Sequence, residues 1–216
     1  MFSKIIVTSG PTREWIDPVR YISNMSSGKM GFCIAQEFQK SGFEVVFVHG
    51  PVSDKYIPEK TKNIYTETTS QMLSSVLSEI ESDTLLIMSA APADFRPAEE
   101  SEIKLKKKDG ENFHLSLVQN PDILRTVREE TVRRKLSHTV LFGFAAETDD
   151  LHENAQKKLE KKGIDFIGAN HVGKNKGFGD QKSTLTVFSK KGIEFEITDS
   201  PKEKIAEAIF RFLIEK

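Results

Sequence analysis

Residues 10–31, GPTREWIDPVRYISNMSSGKMG, limit what the chain can become more than any other stretch. A short apolar run, Lys4-Ile5-Ile6-Val7-Thr8-Ser9, precedes it and reads as a buried strand. A helical pattern starts where it ends, at Gly31-Phe32-Cys33-Ile34-Ala35. A strand that stops at Gly10, and a helix opened by Ser26-Ser27-Gly28-Lys29, have the layout of a phosphate-binding loop. The first N–H groups of a helix are unpaired, and the helix dipole favours an anion there. The connection is about eighteen residues long, against the usual ~2–6 between a strand and a helix. It carries Arg13, Glu14, Asp17, Arg20, Asn24 and Lys29, too polar a set for a filler turn.

Apolar runs then alternate with helical patterns. Strands are expected at 4–9, 44–49, 63–66, 84–90, 139–144 and 165–169, and helices at 28–41, 70–82, 121–136, 150–162 and 201–215. Val45-Val46-Phe47-Val48 is apolar on both faces, as a parallel strand covered by helices must be. The alternation predicts an α/β fold: a Rossmann-like, doubly wound, mostly parallel sheet with helices on both faces and ligand at the C-terminal strand ends. Residues 183–197 read as a hairpin about Lys190-Lys191-Gly192. Residues 94–118 do not read as a crossover helix, and an inserted flap at about 97–118 within one domain, 1–216, is expected instead.

The 31 basic and 32 acidic residues leave a formal charge of −1, so no global field draws nucleic acid or anionic lipid. An anion site must be local. The single cysteine, Cys33, excludes an internal disulfide framework and a cysteine-cluster metal site, and fits a reducing cytosol. It falls in the buried stripe of helix 28–41, with no basic activator in its sequence surroundings. Met1-Phe2-Ser3-Lys4 runs straight into a strand, so a cytoplasmic chain without a signal peptide is expected. The longest apolar run, residues 84–93, is too short for a membrane span.

Several residues carry candidate chemistry, each with a plain structural explanation beside it. Arg20 can grip a carboxylate or phosphate bidentately, or simply pair with Asp17. Asn24 can donate to an oxyanion, or cap the next helix. Asp94 ends a strand after Ser89-Ala90-Ala91-Pro92-Ala93, where small residues admit a ligand; it is also a turn residue. Ile103 and Leu105 alternate with Lys104 and Lys106, suggesting a strand with lysines on one face, although most such runs are solvated. Asn120-Pro121-Asp122 is a complete helix start by itself, with Asn120 as its cap. Phe144 suits a core, and Lys158 and Lys162 share one helix face.

The pattern TSGPTRExIDPVRYISNxSSGKMG resembles the signature of phosphopantothenoylcysteine synthetases, the ligases of coenzyme A biosynthesis. Ala90–Pro97, the lysine run from Lys104, Asn120–Ile123, GFAAET at 143–148, Lys158–Asp165, and the segments 169–171 and 177–180 are similar to the same family. The resemblance implies that Arg20, Asn24 and Lys104 are catalytic, and that Arg20, Asn24 and Ala91 hold the substrate. The nucleotide site would comprise Gly10, Thr12, Ser27, Gly28, Lys29, Ala90, Ala91, Asp94, Lys104, Pro121, Asp122, Ile123, Phe144, Lys158 and Lys162. It implies phosphopantothenate, cysteine and CTP (or ATP) as substrates, and a homodimer whose inserted strand covers the partner's site. Carboxylates beside a triphosphate imply Mg²⁺, with Asp94 as its candidate ligand. No flavin-dependent decarboxylase segment stands in the sequence, so a monofunctional ligase is expected. The sequence departs from the family at Met25 (commonly His), Pro92 (commonly Val) and His171 (commonly Asp).

Two rivals follow from other classes. Tyr56-x-x-x-Lys60 has the spacing of a short-chain dehydrogenase pair, but it contains Pro58, arrives early in the chain and lacks a GxGxxG loop. A non-catalytic nucleotide-binding protein would bind CTP and release no pyrophosphate.

Overall fold

The computed structural model describes residues 2–106, 112–147, 151–171 and 181–215. Its strands, in chain order, are β1 (Lys4–Ser9), β2 (Arg13–Asp17), β3 (Arg20–Ser23), β4 (Val45–His49), β5 (Lys62–Tyr65), β6 (Thr84–Met88), β7 (Phe95–Pro97), β8 (Leu117–Gln119), β9 (Val140–Glu147), β10 (Phe166–His171), β11 (Ser183–Ser189) and β12 (Gly192–Ser200). The α-helices are α1 (Lys29–Lys40), α2 (Thr69–Glu79), α3 (Ile123–Arg133), α4 (Leu151–Lys162) and α5 (Lys202–Ile214). One eight-stranded sheet runs β12-β11-β10-β9-β6-β1-β4-β5. Strands β5, β4, β1, β6, β9 and β10 are parallel, and β11 and β12 close one edge antiparallel.

Both faces of the central strands β4, β1 and β6 are buried, as their unbroken apolar runs require. Ile6, Val46, Leu86 and Leu141 point to one face, beneath α2, α3 and α4. Ile5, Val7, Phe47, Leu85 and Ile87 point to the other, beneath α1 and α5. Because neighbouring side chains alternate across a strand, β1 serves both cores within three residues. The chain leaves β1 towards β4 and β5, then returns to build β6 on the opposite side of β1. The β1–β6 junction is therefore the switch point, where doubly wound sheets open a crevice at their C-terminal edge.

Three expectations need correction. Residues 10–31 are not one long loop: β2 and β3 pair as an antiparallel hairpin, which satisfies its own backbone groups. Residues 98–106 form no strand; the paired segments of the insertion are the short β7 and β8 at its two ends, and residues 107–111 lie outside the described part. Neither asparagine caps a helix. Gly28 caps α1 in a left-handed conformation, and Asp122 caps α3 by accepting from the Arg125 N–H at 3.2 Å. A cap went unread at α2, where Thr68 and Gln71 form a reciprocal capping box.

Gly31, in the first turn of α1, lets the helix lie directly on β1. A Cβ there would stand 2.6 Å from both Ser9 Cβ and Oγ and 2.9 Å from Ser89 Oγ. Gly31→Ala is expected to lower unfolding stability by about 1–3 kcal/mol, the usual cost of overpacking. Chemical denaturation checks this, and an unchanged midpoint would contradict the tight seating.

Candidate functional site

A cleft of about 840 Å³ opens at the switch point. Its floor is the segment following β6, Ala90 to Asp94, whose backbone is held from several directions. The Ala90 N–H donates to Thr8 Oγ1 (3.2 Å), the Ala91 N–H to the Gly10 carbonyl (2.9 Å) and the Ala93 N–H to Thr12 Oγ1 (2.9 Å). Asn120 donates its amide to the Ala93 carbonyl (2.9 Å) and its backbone N–H to the Asp94 carbonyl (2.8 Å). Asn24, from the turn after β3, donates Nδ2 to the Pro92 carbonyl at 2.9 Å and more weakly to Ala91 at 3.4 Å. Pro92 thus falls between two residues whose N–H groups serve the scaffold, and its own carbonyl is engaged by Asn24.

Thr12 is wholly buried and cannot touch a ligand directly. Its hydroxyl belongs to a network around Glu14, a carboxylate 3% exposed. Glu14 Oε1 accepts from Thr12 Oγ1 (3.1 Å), Thr69 Oγ1 (2.7 Å) and the Thr69 N–H (2.9 Å) at the start of α2. A charged acceptor inside such a network holds its neighbours firmly, because an unpaired buried carboxylate is costly.

One rim of the cleft is cationic. Lys158, Lys161 and Lys162 from α4 and Arg125 from α3 all line it. Lys161, which the sequence did not single out, stands there with the other two. Lys162 pairs with Asp122 at 3.0 Å. Ala90, Ala91, Asp94, Pro121, Asp122, Ile123, Phe144 and Asn24 also line the cleft. Phe144 is half-buried, its ring centroid 5.2 Å from that of Phe142.

The remaining expected residues stand elsewhere. Gly10 and Gly28 have φ of +77° and +78°, and a Cβ on either would meet Val52 Cγ1 at 2.4 or 2.6 Å. They shape the turns beneath the cleft rather than line it. Ser26 and Met30 line it, whereas Ser27 and Lys29 do not; Lys29 Nζ pairs with Glu203 at 3.1 Å. Arg20 and Lys104 are also absent from the lining. Arg20 lies in β3, where Nε donates to Asp17 Oδ2 (3.0 Å) and Nη2 to the Leu105 carbonyl (3.0 Å). Asp17, fully buried, also accepts from the N–H groups of Val19 (2.9 Å), Arg20 (2.9 Å) and Leu105 (3.1 Å). The Arg20 guanidinium holds the Asp17 carboxyl far below the usual carboxylate range, against the opposing effect of burial. The Ser101 N–H donates to the Ile16 carbonyl at 3.0 Å. These bonds staple residues 101–105 to the β2–β3 arm and present Lys104 exposed there, not in the cleft of its own chain.

Ser89 faces the cleft with the small residues that follow it, and so do Ser183 and Lys202, which sequence reading passed over. Lys202 offered no signal, being one more charged residue at a helix start. The side chain of His171 and the segment 177–180 lie outside the described residues, as do Lys107 and Lys108. Tyr56 is buried against Phe32, with ring centroids 5.8 Å apart, and Lys60 is exposed, so the dehydrogenase-like spacing makes no catalytic pair. Among the described residues no group of three or more His, Cys, Asp or Glu could hold a metal. Asp94 lies on the cleft wall, and its carboxylate is an oxygen donor of the kind a hard divalent cation takes. No helix among the described residues is long and apolar enough to cross a membrane.

Fold and cleft define a Rossmann-like α/β protein with a basic-rimmed site at its switch point. The chain belongs to the family described as the DNA/pantothenate metabolism flavoprotein C-terminal domain, whose model matches residues 2–216. It is 38% identical over 215 residues to the coenzyme A biosynthesis bifunctional protein CoaBC of Vibrio cholerae, covering 99% of this chain and 52% of that protein. It is 39% identical over 191 residues to CoaBC of Escherichia coli, covering 87% and 46%. The chain thus spans about half the length of the curated relatives it matches. The crystal structure of the C-terminal domain of a CoaBC superposes with a TM-score of 0.77 at 32% identity, covering 98% of this chain and 93% of that one. A DNA/pantothenate metabolism flavoprotein from Streptococcus pneumoniae has the same fold, with a TM-score of 0.82 at 24% identity and 98% of each chain covered. This chain is therefore homologous to the C-terminal domain of the coenzyme A biosynthesis bifunctional protein CoaBC.

Proposed function

We propose that this domain joins phosphopantothenate to cysteine through an acyl-nucleotide. The observation that carries the reading is the convergence of Asn24, the small-residue segment 90–94 and the lysines of α4 on one cleft. In the first step the substrate carboxylate attacks the α-phosphate of CTP (ATP is the alternative) and pyrophosphate leaves. In the second, the cysteine amine attacks the acyl carbon, CMP leaves with the acyl C–O electron pair, and the amine loses a proton. Bound Mg²⁺ would neutralise phosphate charge in the first step. The lysines of α4 hold the triphosphate, and Asp94 sits where it can carry the ion. Ala90 and Ala91 admit the reacting centre close to the backbone, and Asn24 orients it.

The β2–β3 arm and the insertion expose apolar side chains: Val19 is 56% exposed, Ile103 75% and Phe113 60%. These surfaces, and the outward placement of Lys104, support a homodimer in which the arm of one subunit reaches the cleft of the other. Light scattering that finds only monomer at working concentration would refute it. A reducing cytosol suits the chemistry and the buried thiol of Cys33.

The test is pyrophosphate release from CTP or ATP with phosphopantothenate present or absent, followed by addition of cysteine. Binding without pyrophosphate release would mark a nucleotide sensor instead. Joint replacement Lys158→Gln and Lys162→Gln is expected to raise the nucleotide KM about 10²–10⁴-fold, as two charge-assisted contacts of ~1.5–3 kcal/mol each warrant. Melting temperature should barely move, because the half-exposed Lys162–Asp122 pair contributes ~0–1 kcal/mol. An unchanged nucleotide KM would remove α4 from the site.

A further inference from the structure

The Ala93 residue of the cleft floor is gripped at both of its polar backbone groups. Its N–H donates to Thr12 Oγ1 at 2.9 Å, and its carbonyl accepts from Asn120 Nδ2 at 2.9 Å. Ala93 is only 3% exposed, so both groups depend on these partners. The Asn120 amide is itself oriented: Oδ1 accepts from Arg96 Nη1 at 3.2 Å, and Nδ2 also donates, more loosely, to Thr69 Oγ1 at 3.4 Å. The hydroxyls of Thr12 and Thr69 stand 3.0 Å apart, and both converge on Glu14 Oε1.

The carboxylate decides which way these bonds run. A hydroxyl carries one proton and two lone pairs and can turn in either sense, whereas a carboxylate only accepts. Thr69 at 2.7 Å and Thr12 at 3.1 Å therefore both turn their protons to Glu14 Oε1. Each is left with lone pairs. That of Thr12 receives the Ala93 N–H, and that of Thr69 receives Asn120, which in turn holds the Ala93 carbonyl. The third donor to Oε1 is the Thr69 N–H in the first turn of α2, where the helix dipole favours an anion.

The positions flanking Ala93 line the cleft. Ala91 and Pro92, whose carbonyls Asn24 engages, precede it, and Asp94 follows. Asn120 leads directly into Pro121, Asp122 and Ile123, which line the cleft as well. Glu14 is buried and absent from that lining. We propose that Glu14 is a positioning residue: through Thr12 and Thr69 it fixes the Ala93 backbone, and with it the place of segment 91–94 against the reacting groups. The inference rests on the ligase reading for the reaction that this floor serves.

Glu14→Met keeps the length of the side chain and removes the acceptor, whereas Glu14→Gln keeps one acceptor oxygen. Thr12→Val removes only the hydroxyl between Glu14 and the Ala93 N–H. Glu14→Met should lower turnover about tenfold to 10²-fold, the scale of a displacement of up to ~1 Å. The nucleotide KM should hold, because the lysines of α4 take no part in this network. Glu14→Gln should recover part of the loss. Thr12→Val should reproduce it, and the double variant Glu14→Met, Thr12→Val should be no slower than the slower single one. Rates are taken per competent site, counted by the amplitude of the pyrophosphate burst. A smaller burst with an unchanged rate per site would mean that Glu14 only supports folding, and overturns the proposal. A wild-type rate in Glu14→Met overturns it too; where Glu14→Met does not fold, a wild-type rate in Thr12→Val does so. Wild type that releases no pyrophosphate overturns the ligase reading alone. Hydrogen exchange of the Ala93 amide, read by NMR against the amides of β1, then decides Glu14: faster exchange in Thr12→Val and Glu14→Met upholds the grip on the floor, and unchanged exchange overturns it.

Discussion

Asn24→Asp should lower steady-state turnover about 10²–10³-fold, the range found when a donor that orients a reacting centre is lost. The reason lies in what the amide touches. Nδ2 donates to the Pro92 carbonyl at 2.9 Å and to Ala91 at 3.4 Å, tying the turn after β3 to the cleft floor. A carboxylate at this position turns a donor into an acceptor facing two carbonyl oxygens, so the segment 91–93 and residue 24 must separate. The first step, which depends on phosphate contacts and attack by the substrate's own carboxylate, should survive. A pyrophosphate burst should therefore persist while cysteine consumes the intermediate slowly. Because Asn24 is exposed, the melting temperature should change little. Equal loss of the burst and of the second step would show that Asn24 acts before the acyl-nucleotide forms. Unchanged rates in both phases would remove it from the site.

Asp17→Asn should lower turnover about 10²-fold, the scale of a ~1 Å misplacement of a distant catalytic group. Asp17 receives four donors besides the Arg20 terminal nitrogen, with Leu105 among them. Asparagine offers one acceptor oxygen in place of two and sets an NH₂ group against N–H donors. The staple on residues 101–105 then loosens, and Lys104 loses its position. The kinetic signature should match that of Lys104→Gln, and the double variant should be no slower than either single one, as expected for residues acting through one contact. Additive losses would separate Asp17 from Lys104. The pH dependence follows from the sign of the shift. Arg20 depresses the folded carboxyl, so its contribution is complete above the unfolded value of about 3.9 and is lost only as the pH falls well below it. Protection of the arm from proteolysis should accordingly persist at pH values where ordinary carboxylates are already protonated. Parallel loss of both would contradict the pairing.

Much of the fold was legible. The apolar runs that became β1, β4, β6, β9 and β10 are continuous because both faces are covered, and that pattern separates a doubly wound sheet from a half-exposed one. The hairpin β11–β12 and all five helices fall within a few residues of expectation. The β2–β3 hairpin was not legible, because Pro18 and a dense set of charges interrupt any alternation in residues 13–23. The insertion misled in the opposite direction: Ile103 and Leu105 alternate with lysines, yet Ile103 is 75% exposed and no strand forms. Alternation signals a strand only when a partner strand and a buried face are available, and neither is local information.

Sequence alone determined the doubly wound layout, the expectation of a ligand at the C-terminal strand ends, and the motifs of the family to which the chain belongs. Tertiary structure alone decided which charges meet. It withdrew Thr12 into the Glu14 network, sent Arg20 and Lys104 onto an outward arm, added Lys161 to the rim and buried Lys202 in the cleft wall. Strand periodicity is set by nearest neighbours along the chain. The surroundings of a charge are set by elements far apart in sequence, such as residues 17 and 105 or 183 and 202, and these become neighbours only when the sheet closes its two cores.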